Sequence, residues 1–140
     1  MAMKQIIYAS RPFGFDEGGL NSILSTARRR NSRNDITGAL ICRADIYLQL
    51  LEGPAEAIGD TYERIKRDDR HLEVMLIRDQ EVDRRLFPEW SMLDDPARSW
   101  MWNQAEIAAG ALQAASPEEV LAVFARIACE PRDHATLMPA

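Results

Sequence analysis

Two polar side chains interrupt short apolar segments of the chain. Gln49 lies in the middle of Ile46 to Leu51, and Tyr8 lies near the end of Lys4 to Ala9. Burying an amide without partners costs about 1–3 kcal/mol, so something must satisfy both the donor and the acceptor of Gln49. A hydrogen bond between Gln49 and Tyr8 would meet this need, and so would a ligand bound beside them.

A third polar residue, Asn31, prolongs the apolar stripe of the first predicted helix. The stripe passes through Leu24 and Ala27 and reaches Asn31 after a further step of four residues. An asparagine near the end of a helix needs no ligand. If Tyr8 and Gln49 face the helices, however, all three groups converge in an apolar slot, and such a slot suits a flat heteroaromatic ligand.

The chemistry available in this slot is binding rather than turnover. It offers one phenol and two amides, with no carboxylate base, thiol or metal ligand, so it is poorly equipped for hydrolysis or group transfer. Amides can hydrogen-bond ring carbonyls and an imide, because each carries a donor and an acceptor. The residues alone therefore predict a planar ligand and leave its identity open.

The elements that would position these residues follow from hydrophobic periodicity. Apolar runs predict five strands, and helical spacing after Gly18-Gly19 and after Pro54 predicts two helices. The predicted strands are 4–9, 36–42, 46–51, 72–77 and 86–92. The order βαββαβ with an added strand predicts an α+β, ferredoxin-like fold with both helices on one face. We expect the first and third strands to be central, parallel neighbours.

The C-terminal third has a different character. Asp94 to Pro96 should break the chain, and two helices are predicted around 102–114 and 118–129, the second capped at Ser116. Its stripe should pack on the open face of the sheet or on another subunit; the residues are Val120, Val123, Phe124 and Ile127. The predicted organisation is a domain over 1–93, a helical extension over 94–130 and a flexible tail over 131–140.

Composition and charge exclude several classes of function. The net charge is −5, with 3 basic and 7 acidic residues from Asp94 onward, so nucleic-acid binding is disfavoured. No apolar run approaches the roughly 20 residues that cross a bilayer, and no signal-peptide pattern occurs, so we expect a cytoplasmic protein without membrane contact. Cys42 and Cys129 lack paired spacing, and His71 and His134 form no metal motif, so neither a disulfide scaffold nor a metal site is expected.

Six ordered motifs resemble one known family. From Ile6 to about Met92 the chain is similar to a BLUF domain, which senses blue light with a flavin. The matching pieces are Tyr8-Ala9-Ser10, Ile23-Leu24 through Arg30-Asn31, Ile36-Thr37-Gly38-Ala39-Leu40, Leu48-Gln49-Leu50-Leu51-Glu52-Gly53, Arg67 to His71, and Phe87-Pro88-Glu89-Trp90-Ser91-Met92. The resemblance implies FAD as the first choice of cofactor, with FMN or riboflavin as alternatives.

The resemblance also implies a role for each matching residue. Tyr8 would be the photoactive tyrosine, and Gln49 the glutamine between it and the flavin. The other implied contacts with the flavin are Ile23, Arg30, Asn31, Ile65, Arg70 and His71. Trp90 and Met92 would relay the signal.

The implied mechanism is a switch rather than an enzymatic reaction. Light would draw an electron from Tyr8 and rearrange the Gln49 amide, by rotation or tautomerisation, with a red-shifted spectrum as the result. The chain looks like the short stand-alone members of the family. It is therefore expected to form a homo-oligomer, a dimer or larger, and to act on an unidentified downstream protein.

Two other classes of protein remain open. One is a ferredoxin-like regulatory or dimerisation module without a chromophore, in which Gln49 and Tyr8 only bond each other. The other is an acylphosphatase-type hydrolase, a class that shares the topology and needs an arginine and an asparagine, here Arg11 and Asn34. The loop around Arg11 lacks a convincing glycine-rich phosphate cradle, which counts against the hydrolase.

Overall fold

The computed structural model describes residues 3–12, 17–43, 46–67, 71–88, 93–96 and 102–129 of the chain. Its first part follows the predicted order βαββαβ, and C-terminal helices come after it. The elements are β1 (Met3–Pro12), α1 (Glu17–Arg33), β2 (Thr37–Arg43), β3 (Ile46–Pro54), α2 (Ala55–Lys66), β4 (His71–Val82), β5 (Leu93–Pro96), α3 (Gln104–Ala108), α4 (Ala111–Ala114) and α5 (Pro117–Cys129). The predicted α+β class is thereby confirmed.

The five strands in the described part of the chain form one sheet in the order β4-β1-β3-β2-β5. β1 and β3 are neighbours as predicted, but they run antiparallel, with Ile6 opposite Leu51, so the predicted parallel pairing is wrong. The reason is topological. The crossover through α1 returns the chain so that β2 is parallel to β1, and β3 is the antiparallel hairpin partner of β2. β3 lies between β1 and β2 and therefore opposes both.

Side chains alternate between the two faces of the sheet, and each face packs against different helices. α1 and α2 cover the face that carries Ile6, Tyr8 and Leu51, which we call the helix-pair face. The C-terminal helices cover the opposite face, which carries Ile7 and Leu50 and which we call the reverse face. Both helices of the βαββαβ unit thus lie on one side, as predicted.

The fourth strand is longer than the sequence predicts. β4 spans His71–Val82, whereas the apolar pattern ends at Ile77. The added residues pair with β1, and Val82 lies opposite Met3. Backbone pairing with a ten-residue neighbour therefore extends β4 beyond its apolar part.

The fifth predicted strand, from Leu86 to Met92, is wrong in the part that the structure describes. Residues 86–88 form bends and a turn, and 89–92 lie outside the described residues. The backbone N–H of Phe87 donates to the side chain of Glu52 instead of to a neighbouring strand. Residues 94–96, which were expected to break the chain, belong to β5, which pairs in parallel with β2. The predicted boundary after residue 93 consequently falls inside β5.

Residues 102–129, the described part of the C-terminal region, contain three helices where the sequence predicts two. Gly110, with φ +93°, interrupts the first predicted helix and separates α3 from α4. The predicted cap of α5 is confirmed, since Ser116 and Glu119 exchange side-chain and backbone hydrogen bonds. The apolar stripe of α5 is buried in the core of the reverse face. Its own sheet covers the stripe, which is therefore not available to another subunit.

Candidate functional site

The two central strands place Tyr8 and Gln49 directly opposite each other on the helix-pair face. Tyr8 is 0 % exposed and Gln49 is 3 % exposed. Leu40 lies opposite Gln49 on its other side, and Ile6 packs in the same cluster as Tyr8. Opposed residues of antiparallel strands have Cβ atoms about 4.5–5.5 Å apart. The phenol and the amide are therefore neighbours inside a largely apolar layer, which also contains the buried Tyr47.

Asn31 approaches this layer from α1. Leu24 and Ala27 of the same helix pack against the cluster that contains Tyr8. Asn31 lies four residues after Ala27, so it continues that helical face, and it is only 2 % exposed. The structure thus buries all three predicted polar residues between the sheet and the helix pair.

The end of α1 is fixed by local backbone geometry. Asp35 adopts φ +59°, and the N–H of Ile36 donates to the carbonyl oxygen of Asn31 at 2.9 Å. A left-handed residue with such a bond is a common way to end a helix. A Cβ atom on Gly53 would lie 2.7 Å from the carbonyl oxygen of Asp35. Glycine at this position lets the end of α1 lie against β3, four residues beyond Gln49.

Tyr62 of α2 is a neighbour of the site that was not among the predicted site residues. Its ring centroid lies 5.8 Å from that of Tyr8, with an interplanar angle of 55°. Burial raises the pKa of the Tyr62 phenol, although the cation of Lys66, 5.0 Å from the ring centroid, acts in the opposite direction. The only signal in the sequence was an aromatic residue in a stripe next to Ile58 and Ile65.

The donor set of this layer fits a planar heteroaromatic group. Amide side chains can pair with ring carbonyls and an imide, and aliphatic side chains can contact the ring faces. Within the described ranges, no group of three or more His, Cys, Asp or Glu side chains could hold a metal ion. In the same ranges, no helix is long and apolar enough to span a membrane.

The other predicted site residues differ in what the structure says of them. Ile65 is half-buried and packs against the cluster of the helix-pair face. Arg30 is exposed, although it directly precedes the buried Asn31. For Ile23 and His71 the backbone is described, in α1 and at the start of β4, but the side chains are not. The remaining three predicted residues, Arg70, Trp90 and Met92, lie outside the described residues.

The two residues proposed for a hydrolase lie far apart. Asn34 adjoins Asp35, which contacts Gly53, and Gly53 pairs with Lys4 near the start of β1. Arg11 lies seven residues further along β1, about 23 Å at the usual rise of a strand. Its guanidinium forms an exposed ion pair with a β4 carboxylate at 3.2 Å. An acylphosphatase-like pairing of Arg11 with Asn34 is thereby excluded.

A cavity of about 530 Å³ occurs on the reverse face, between the sheet and α3–α4. Ala9, Ile46 and Met75 line its sheet side, and Leu112 lines its helix side. Tyr8 and Gln49 point to the other face. The cavity is therefore separate from the site built by the buried polar residues.

Fold and site together define a small α+β domain with buried polar side chains between a sheet and two helices, a setting that suits a planar ligand. Residues 3–93 match the family model "BLUF: Sensors of blue-light using FAD". Because the match covers well over half of the 140 residues, the chain belongs to the BLUF family. It is a blue-light sensor domain whose cofactor is a flavin.

Individual relatives agree with this membership. The chain is 38 % identical over 74 residues to photoactivated adenylate cyclase subunit beta of Euglena gracilis, which is 52 % of this chain and 9 % of that protein. The chain thus spans about a tenth of the length of such curated relatives. The dark-state structure of the BLUF protein BlrB has a TM-score of 0.75 at 27 % identity, covering 91 % of this chain and 96 % of that one. The ground state of BlsA shares the fold, with a TM-score of 0.78 at 21 % identity over 97 % and 94 % of the two chains.

Proposed function

We propose that this domain signals through a light-driven rearrangement of hydrogen bonds around Tyr8 and Gln49. The observation that carries the proposal is that Tyr8 and Gln49 lie directly opposite each other on central strands, both buried in a largely apolar layer. A buried phenol next to a buried amide is costly unless a bonding arrangement satisfies both groups. Two arrangements of similar energy would make the pair a switch.

The two residues have different parts in this proposal. When bound, an excited flavin supplies a strong one-electron oxidant. Tyr8 gives up an electron, and its phenol proton moves towards the Gln49 amide. The electron and the proton then return to Tyr8, and the Gln49 amide is left rearranged, by rotation or tautomerisation. Glutamine suits this step because its side chain carries a donor and an acceptor, which a rotation exchanges in place.

Further residues of the chain are proposed to hold and orient the flavin. Asn31, buried on the face of α1 that meets the sheet, would bond the carbonyl and imide edge of the ring. Ile65 would contact one face of the ring, and Ile23 the other. The exposed Arg30, together with Arg70 and His71, would contact a second carbonyl or the ribityl-phosphate side. FAD is the first choice, because the family description names it, and FMN or riboflavin would offer the same ring.

The output is proposed to pass through Trp90 and Met92 to the C-terminal helices and then to an unidentified partner protein. No chemical turnover is expected of the domain itself. We also propose a homo-oligomer, a dimer or larger. Since its own sheet buries the stripe of α5, the oligomer must use another surface. The order of the first four strands supports a ferredoxin-like core to which the four-residue β5 is added.

The decisive experiment is an absorption spectrum of the purified protein before and after blue light. Flavin bands that shift to the red in light and recover in the dark are expected. A colourless protein that cannot be reconstituted with flavin would instead favour a chromophore-free module.

Gln49→Leu tests the mechanism itself. The variant should retain flavin but lose the light-induced shift, since leucine keeps the apolar packing and removes both hydrogen-bonding atoms. Gln80→Leu is the matched control, because Gln80 is an exposed residue of β4, and its shift should be normal. A normal shift in Gln49→Leu would refute the proposed switch.

A further inference from the structure

Glu52 is a buried carboxylate that the proposed photochemistry does not use. It is 0 % exposed and lies on β3, three residues after Gln49. Because strand side chains alternate, the two residues point to opposite faces of the same strand. Glu52 lies opposite Gln5 of β1 on one side and opposite Thr37 of β2 on the other.

The carboxylate of Glu52 is held by two uncharged donors from the described part of the chain. The Gln5 Nε2 group donates to Oε2 at 3.0 Å, and the backbone N–H of Phe87 donates to Oε1 at 2.6 Å. The Gln5 carbonyl oxygen in turn accepts from Nε of Arg78 at 2.9 Å. The Gln5 amide thus bridges a cation to the buried anion, and this arrangement fixes which way the amide points.

Phe87 connects this network to the C-terminal helices. It is 3 % exposed, and its ring meets that of Phe124 edge to face, with centroids 6.3 Å apart at 84°. Phe124 is a fully buried residue of α5. One short hydrogen bond and one aromatic contact therefore join β3 to α5.

Arg85, two residues before Phe87, forms hydrogen bonds to β2, to β3 and to the end of α1. Its guanidinium donates to the Thr37 hydroxyl at 2.9 Å, to the carbonyl oxygen of Glu52 at 3.3 Å and to that of Asp35 at 2.7 Å. Asp35 ends the helix that carries Asn31. The segment from Arg85 to Phe87 is thus tied both to the photoactive strand and to the end of α1.

We propose that Glu52 is the positioning residue that transmits a rearrangement at Gln49 to helix α5. The inference rests on the function proposed above and adds a route on the reverse face of the same strand. A change in the bonding of Gln49 alters the local position of β3. Charge-assisted hydrogen bonds are strong and depend on geometry, so Phe87 must follow Glu52 or lose its bond. Close packing then passes the displacement to Phe124 and α5.

Glu52→Gln tests the route in the flavin-loaded full chain. The amide keeps the size of the carboxylate and an acceptor oxygen but removes the charge that strengthens the bond to Phe87. Hydrogen exchange of the α5 peptide, residues 117–129, is measured in the dark and under blue light, together with the absorption spectrum. Glu81→Gln makes the same chemical change at an exposed site on β4 and is the matched control.

In the parent and in Glu81→Gln, blue light should change the rate of hydrogen exchange in α5 by at least about threefold. This size is typical of a local opening equilibrium that is biased by one weak interaction. In Glu52→Gln the red shift should remain, but the light-to-dark ratio in α5 should be at least about twofold smaller than in the parent. If Glu52→Gln does not fold, Arg78→Met, which releases the acceptor end of Gln5, should lower the same ratio at least about twofold.

The outcomes separate this inference from the proposed function. A parent without any red shift would overturn both. A parent with the red shift but no light response in α5 would overturn the inference alone. The inference alone is also overturned if Glu52→Gln, or Arg78→Met in its place, has both the red shift and the α5 response of the parent.

Discussion

The two faces of the sheet use the same strands for different purposes. The helix-pair face buries Tyr8 and Gln49 at its centre, among aliphatic side chains. The reverse face buries an apolar core under α5, with Phe87 and Phe124 in contact, and carries the buried polar network around Glu52. The helix-pair face therefore suits a ligand, whereas the reverse face holds the fold together and is proposed to pass the signal on through Glu52.

This difference shows how one strand can serve both purposes. Along β3, Leu48 and Leu50 belong to the reverse core, and the residue between them, Gln49, belongs to the site. Substitutions on the two faces should therefore have separable effects. Changes in the apolar core of the reverse face should reduce stability, and changes at Tyr8 or Gln49 should abolish the red shift.

The largest effect on stability is expected for Phe124→Ala. Removing a fully buried aromatic side chain should lower the free energy of unfolding by about 3–5 kcal/mol, because a cavity is left under the sheet. Denaturant titration followed by circular dichroism measures this value. Phe124→Leu is the control, with an expected loss below about 1.5 kcal/mol. A loss below about 1 kcal/mol for Phe124→Ala would show that the reverse face is not the main core.

Tyr8→Phe should have the opposite profile. It should abolish the light-induced red shift, but it should change the free energy of unfolding by less than about 1.5 kcal/mol, because only one hydroxyl group is lost. Tyr62→Phe, on the neighbouring ring, is the control and should keep the shift. A normal shift in Tyr8→Phe, or a lost shift in Tyr62→Phe, would mean that Tyr8 is not the electron donor proposed above.

Asn31→Ala should weaken flavin binding without abolishing the fold. Hydrogen bonds of this kind contribute about 1–2 kcal/mol, so the dissociation constant should rise about 5- to 30-fold. Titration of the apoprotein with FAD, followed by the quenching of flavin fluorescence, measures the change. Ser32→Ala alters the exposed neighbouring residue of the same helix and should bind as the parent does. Equal affinity in both variants would remove Asn31 from the site.

Gly59→Ala is expected to have the smallest effect. Gly59 is an exposed residue inside α2, and a Cβ atom there would meet nothing within 4 Å. The helix should gain about 0.5–1 kcal/mol, as measured by thermal unfolding, with no change in the red shift. Gly53→Ala should do the reverse, because its Cβ atom would collide with the carbonyl oxygen of Asp35. A destabilised Gly59→Ala would mean that α2 is under constraints that its packing does not show.

The sequence predicted which segments form helices and strands better than it predicted how the strands pair. The periodicity of hydrophobic residues and the turn residues indicated β1 to β4, the helix pair and the cap of α5, because each of these signals is local. Strand direction is not local. It depends on where β3 inserts, and an apolar segment looks the same in either direction. The expected fifth strand failed for a related reason, because the N–H of Phe87 bonds to a side chain 35 residues away in the sequence.

The residues of the site show the same contrast between what local sequence patterns predict and what depends on strand pairing. The burial of Tyr8, Gln49 and Asn31 followed from polar residues in apolar patterns. Glu52 gave no such signal, since it lies at the end of a strand just before Gly53-Pro54, where an exposed carboxylate would be ordinary. Its role depends on Gln5, whose polar side chain lies near the start of β1. Only the register of the strands brings the two residues together.

The two edges of the sheet have a consequence for self-association. β5, on one side, has only four residues, which is too short to offer a long template to another strand. β4, on the other side, is long, but its pairing with β1 shifts register twice, and Glu73, Asp79 and Glu81 are exposed along it. Short, irregular and charged edges resist the addition of strands from other molecules. The sheet is therefore protected at both edges against growth into aggregates.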